Sequence, residues 1–185
     1  MKSKSVAAGE ERTFVLILDQ GEEAFRAITD FANKQGISGA SVSAVGAFAE
    51  ARVGWFDLSA KNYKPIVVGE QCEVLSLLGD VAEGDDGKAS LHLHAVLGLR
   101  DGSVRGGHFL SGVVQPTLEV TIRETVAHLR RKKRPDLGIA LISIQDRPKR
   151  GLRASGVGNT INHIQPRLRE AYTKKAYDLV AASLR

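Results

Sequence analysis

Between residues 40 and 126 the sequence is a succession of short strand-like runs, at 40–47, 51–58, 65–68, 72–78, 90–99, 109–114 and 118–126, with Gly, Asn, Asp or Pro in most of the gaps. Connections this short leave no room for crossover helices, so the runs predict antiparallel meanders. Upstream, residues 13–18 (TFVLIL) read as a buried strand, and Asp19, Gln20, Gly21, Glu22 and Glu23 form a turn whose acidic residues suit a helix start. Ala24, Ile28, Phe31 and Ala32 then recur at helical spacing, which predicts a helix that stops at Gly36 with its apolar stripe on the core. A last strand is expected over residues 139–144, after the basic cluster Arg130, Arg131, Lys132, Lys133 and Arg134.

The chain has 185 residues, 43% apolar and 25% charged, which suits one soluble domain with an appended segment. Its longest uninterrupted aliphatic or aromatic run, residues 14–18, is far below the roughly 20 residues a membrane helix needs. Met1 to Ser5 is charged but leads into no apolar stretch of a secretory signal, so a cytoplasmic protein without membrane contact is expected. The single cysteine, Cys72, excludes an internal disulfide and any multi-cysteine zinc site, and as one thiol in a strand it reads as inert packing. A metal, if held, must use His or carboxylate.

Charge is unevenly placed. Residues 1–128 carry 12 Lys/Arg against 17 Asp/Glu, whereas residues 129–185 carry 14 against 4. A basic C-terminal third on an acidic body is the field expected of a module that meets a polyanion, or of a solvated basic tail. From Asp146 the composition turns to Pro, Gly, Ser, Asn and cations, a linker, until Ile164, Leu168, Ala171, Lys175 and Leu179 fall at near-helical spacing. The expected organisation is a domain over residues 8–146, then a basic linker and amphipathic helix over 147–185.

Three of the five histidines lie within seventeen residues, in Leu91-His92-Leu93-His94-Ala95 and Gly106-Gly107-His108. In a strand, side chains alternate faces, so Leu91, Leu93, Ala95 and Leu97 point one way and His92 and His94 the other. Residues 99–103 reverse the chain, and the returning run can deliver His108 to the same place. Three neutral imidazoles suit Zn²⁺ or another divalent transition metal with one position open. On residues alone the alternative stands that the pair is ordinary polar surface.

The succession Leu91-His92-Leu93-His94, Asp101-Gly102, Gly106-Gly107-His108-Phe109-Leu110, Gly112 and Thr117-Leu118-Glu119-Val120 resembles the PPC (plants and prokaryotes conserved) domain family, with its H-x-H strand, G-G-H turn and T-x-E-V strand. Gly36-Ile37, Gly46-Ala47, Tyr63 and residues 73–79 also look like its pattern. The resemblance implies an α+β domain, a mainly antiparallel β-sheet of about seven strands with a flanking helix, assembling as a homotrimer. It implies an association with DNA and a metal site at the positions of His92, His94 and His108. The minor-groove hook of plant members has no full counterpart: in Lys149-Arg150-Gly151-Leu152-Arg153, Leu152 stands where the second Arg belongs.

Three functions compete. In a trimeric DNA-associated protein, Arg130, Arg131, Lys132, Lys133, Arg134, Lys149, Arg150 and Arg153 would contact phosphates. In a metal-dependent, hydrolytic enzyme, the histidines would hold the ion, with Glu73 or Glu119 as the assisting carboxylate. In a trimeric scaffold without catalysis, residues 73–78 would supply a subunit contact.

Overall fold

Ten elements follow one another in the computed structural model, which describes residues 1–7, 11–125 and 128–143. They are β1 (Lys2–Ala7), β2 (Thr13–Asp19), α1 (Ala24–Gln35), β3 (Gly39–Asp57), β4 (Asn62–Val68), β5 (Cys72–Glu83), β6 (Ala89–Gly98), β7 (Val104–Glu124), β8 (Arg130–Arg134) and β9 (Ile139–Ser143). All belong to the compact unit Met1–Gln145. The linker and helix expected after residue 146 lie outside the described residues.

The helix forms where its sequence periodicity puts it. The Glu23 carboxylate accepts hydrogen bonds from the Phe25 and Arg26 amides at 3.0 and 2.8 Å, and Gly36 caps the other end in the left-handed conformation at φ 66°. Ala24, Ile28, Phe31 and Ala32 are buried, and α1 packs on β7 and β6.

The sheet differs from the expected meander in three ways. Runs 40–47 and 51–58 are one strand, β3, of 19 residues, and runs 109–114 and 118–126 are one strand, β7, of 21. The intervening residues are absorbed as bulges: register shifts fall between Gly46 and Phe48 and again before Glu50, opposite the cis Gln115–Pro116 segment of β7. Proline, which has no N–H to donate, fits a strand at such a place. The basic cluster, expected between strands, is itself the strand β8. It pairs antiparallel with β9 and in parallel with β5, where Glu83 stands opposite Arg130. The sheet is therefore mixed and has nine strands rather than about seven.

The third difference is closure. β3 pairs with β5 and β7, and β6 pairs with the same two strands, so β3, β5, β6 and β7 form a ring of antiparallel pairings. β2 joins it along the second half of β7, and β4 along the second half of β3. One face of the ring turns to α1 and carries the core: Leu16, Leu18, Ile28, Leu77, Leu93, Leu97, Phe109, Leu118 and Ile122 are fully buried. Each such aliphatic side chain contributes about 1.5–3 kcal/mol by leaving water. Phe48 stacks on Phe109 with ring centroids 5.5 Å apart. Cys72 is buried here too, and burial pushes its thiol pKa up, away from reactivity. Trp55 is 60% exposed, with the Lys64 ammonium 5.8 Å from its ring centre.

Candidate metal centre

The face of the ring turned away from the core is where the histidines meet. Leu91, Leu93, Ala95 and Leu97 are buried inward, so His92 and His94 project outward, as the alternation predicts. β6 and β7 are a hairpin in which His94 stands directly opposite His108. On the other side of β6, His92 faces Asp80 and His94 faces Leu78 on β5.

Two glycines permit these approaches. A β-carbon on Gly79 would lie 1.9 Å from the His92 carbonyl oxygen, and one on Gly107 would lie 2.6 Å from the Gly54 carbonyl oxygen. Neither distance is physically possible, so both strands can close on their neighbours only because these positions lack a side chain. His108 is thereby brought opposite Gly54, beneath the hairpin formed by β3 and β4.

The result is a cluster. One ring nitrogen from each of His92, His94 and His108 lies within 4.8 Å of the others, and the Nε2 atoms of His92 and His94 are 3.2 Å apart. Ring centroids are separated by 5.1 Å for His92 and His94, 5.1 Å for His92 and His108, and 5.4 Å for His94 and His108. Tyr63 of β4 stacks on His108 at 4.4 Å with 17° between the planes, and Phe56 packs edge-on against Tyr63 at 5.0 Å. That aromatic wall fixes the His108 ring and covers one side of the cluster. Tyr63 had entered the sequence reading only as part of the family pattern, because its register on a second hairpin is not visible in the sequence.

Two observations test whether a cation suits this place. His108 Nδ1 is buried and, among the described residues, has no hydrogen-bond partner, an arrangement that costs free energy unless something else engages the ring. Two of the imidazoles, those of His92 and His108, are also held neutral. Burial first, then the neighbouring His92, His94 and Arg131, pushes the His108 pKa down to about 4, and burial followed by Arg131 and His94 lowers that of His92. Neutral imidazole is the form that binds a metal, and three nitrogens without thiolate suit a borderline divalent ion. The residues fit.

The expected carboxylates stand elsewhere. Glu73 is exposed and faces Gly98 across the β5–β6 ladder, four positions from His94. Glu119 is exposed and faces Ile17 on β2 and Val45 on β3, eleven positions along β7 from His108. The carboxylate at the cluster's edge is Asp80, which the sequence reading passed over.

The basic strand is also not uniform. Arg130 pairs with Glu83 at 2.9 Å and Arg134 with Asp136 at 2.8 Å, while Lys132 is half-buried and Lys133 exposed. Arg131 is 4% exposed, and its guanidinium is bound to the Asp80 carboxylate and to Ser90. Lys149, Arg150 and Arg153 lie outside the described residues.

A ring of antiparallel strands backed by one helix, with converging imidazoles on its outer face, defines a β-rich domain with a nitrogen-donor cluster. The family model of the Plants and Prokaryotes Conserved (PCC) domain, abbreviated above as PPC, matches residues 6–126, and the chain belongs to that family. Among solved structures it is similar to a plant- and prokaryote-conserved protein of Pyrococcus horikoshii, with TM-score 0.68 and 31% identity over 74% of this chain and 94% of that one. It is also similar to a metal-containing protein of Archaeoglobus fulgidus, with TM-score 0.66 and 32% identity over 78% of this chain and 99% of that one. A third likeness is to a "putative dna binding protein" of Bacteroides thetaiotaomicron, with TM-score 0.68 and 25% identity over 76% and 96% of the two chains. Comparison with curated proteins found no match.

Proposed function

We propose that this chain is a cytoplasmic, homotrimeric metal-binding protein of the PPC family, with Zn²⁺ or another divalent transition metal held by His92, His94 and His108. The observation that carries the reading is the convergence of three ring nitrogens within 4.8 Å on one face of the sheet. The similarity to a metal-containing archaeal protein supports it. A metal there supplies Lewis acidity. The chain supplies three nitrogen donors, a tyrosine wall over one of them, and an exposed side at His94 through which a ligand arrives. The test is elemental analysis of the purified chain after dialysis against zinc. About one ion per chain is expected, with a loss of affinity beyond about a hundredfold in His94→Ala, more than outer-sphere changes cost. No ion above background in the wild type overturns the reading.

A second reading places DNA on the basic strand, and the name of the Bacteroides relative together with the charge asymmetry favours it. Among the described residues of that strand, Lys132 and Lys133 show no acidic partner, and Lys149, Arg150 and Arg153, outside the described residues, are further candidates. Arg130 and Arg134 would contribute only by leaving their acidic partners, and Arg131 is turned inward. Metal-dependent hydrolysis, the alternative expected from the sequence, is less favoured by the placement of Glu73. From the strand rise, Glu73 is displaced about 13 Å along the ladder from the level of His94.

A further inference from the structure

Asp80 shares a sheet face with the imidazoles because it stands directly opposite His92. Opposed residues carry β-carbons about 4.5–5.5 Å apart, which sets this aspartate beside the cluster. A carboxylate oxygen, like an imidazole nitrogen, is a zinc ligand. Yet Asp80 is not part of the cluster; its Oδ1 accepts a hydrogen bond from Nη2 of Arg131.

Arg131 is itself firmly held. Its Nη1 donates to the Ser90 carbonyl at 2.6 Å and to the Ser90 Oγ at 3.2 Å, two positions before His92 on the same face of β6. β8 delivers it, docked on β5 by the pairing of Arg130 with Glu83 and by the Glu83 amide, which donates to the Leu129 carbonyl at 2.8 Å. This strand lies beyond residue 126, where the family match ends.

We propose that Arg131 is a positioning residue that keeps Asp80 off the metal, leaving a three-nitrogen ligand set open to an exchangeable small anion. The proposal rests on the metal reading of the histidines. A site with three protein donors exchanges its remaining ligand, whereas a fourth protein donor closes it into a structural site. Arg131 is thus the element that decides between the two.

The test uses Co²⁺ as a visible probe on the full chain, with chelator competition for affinity and azide as the small anion. The wild type should bind about one Co²⁺ and change its spectrum on adding azide. In Arg131→Leu the freed Asp80 should raise Co²⁺ affinity about tenfold or more and suppress the azide response. Asp80→Asn alone should stay within about threefold of wild type, and the Arg131→Leu/Asp80→Asn double variant should lose the gain. Arg131→Gln, which keeps amide donors for Ser90, should behave like Arg131→Leu and decides the matter if that variant does not fold. A purely structural role for Arg131 predicts weaker binding in both backgrounds and overturns the proposal, as does a wild-type Co²⁺ form indifferent to azide. A wild type that binds Co²⁺ without an Asp80-dependent gain in the variants defeats this inference alone. A wild type that binds no Co²⁺ defeats the metal reading with it.

Discussion

His94 and His108 stand directly opposite each other across the β6–β7 hairpin, with ring centroids 5.4 Å apart and nearly perpendicular planes. Their pairing joins the two sequence signatures, the H-x-H strand and the G-G-H turn, into one piece of chemistry. It also makes the site depend on how closely the strands approach.

Gly79→Ala should therefore damage both stability and the site. The new β-carbon would fall 1.9 Å from the His92 carbonyl oxygen and 2.9 Å from the Leu93 Cα, so β5 and β6 must separate. Forced repacking of this kind costs about 1–3 kcal/mol, and His92 moves with it. Urea unfolding and zinc titration should both register the change. Gly69→Ala, where nothing lies within 4 Å, is the control and should leave both unaltered.

Stability without metal should fall as the medium becomes acid. The folded-state pKa of His108 is about 4 against an ordinary value of 6.5, so between those values the unfolded chain binds a proton that the folded chain refuses. Stability is thus fully present above pH 6.5 and is lost as the pH falls toward 4. His92, shifted in the same direction, adds to the trend. Urea midpoints in chelator at pH 7 and pH 5 should differ, and the difference should shrink in His108→Asn. An equal difference in wild type and variant would assign the effect to other groups.

Leu78→Lys should dissociate the proposed trimer. Leu78, Leu75 and Val45 are each more than half exposed, and they line one shallow depression with Ser43, Ser76 and Glu119. Exposed apolar side chains gathered on the outer face of a sheet suit a contact surface. Light scattering should show the wild type as a trimer and the variant as a smaller species with unchanged circular dichroism. A wild type that is monomeric at micromolar concentration removes the trimer from the account.

If the basic strand meets DNA, Lys132→Gln/Lys133→Gln should weaken duplex binding and reduce the slope of log affinity against log salt by about 2. Fluorescence anisotropy on a duplex of arbitrary sequence between about 50 and 200 mM salt measures this. An affinity that does not vary with salt rules the reading out.

The faces of β6 were legible in the sequence because leucine and histidine alternate at the strand period, and the helix was legible from Ala24, Ile28, Phe31 and Ala32. Two kinds of feature were not. Glycine and proline within 46–50 and 115–117 looked like ends of strands, yet long-range pairing between β3 and β7 turned them into bulges. Five successive cations carry no alternation to mark a strand. β8 exists because acidic residues of β5 and the following loop receive it, Asp80 taking Arg131, Glu83 taking Arg130, and Asp85 accepting from the Lys133 amide. That also explains why Arg131, grouped by sequence with phosphate contacts, is buried beside the histidines.

The ring of strands is shut by its shortest ladder, which runs from Gly98 opposite Val104 to His94 opposite His108. The histidine pair is the final rung, at the fork where the hairpin's two arms part. A cation seated there would act as a rivet across that fork. Anything that binds the folded form alone adds to its stability by mass action, so loading the rivet and zipping the seam are one equilibrium seen from two sides.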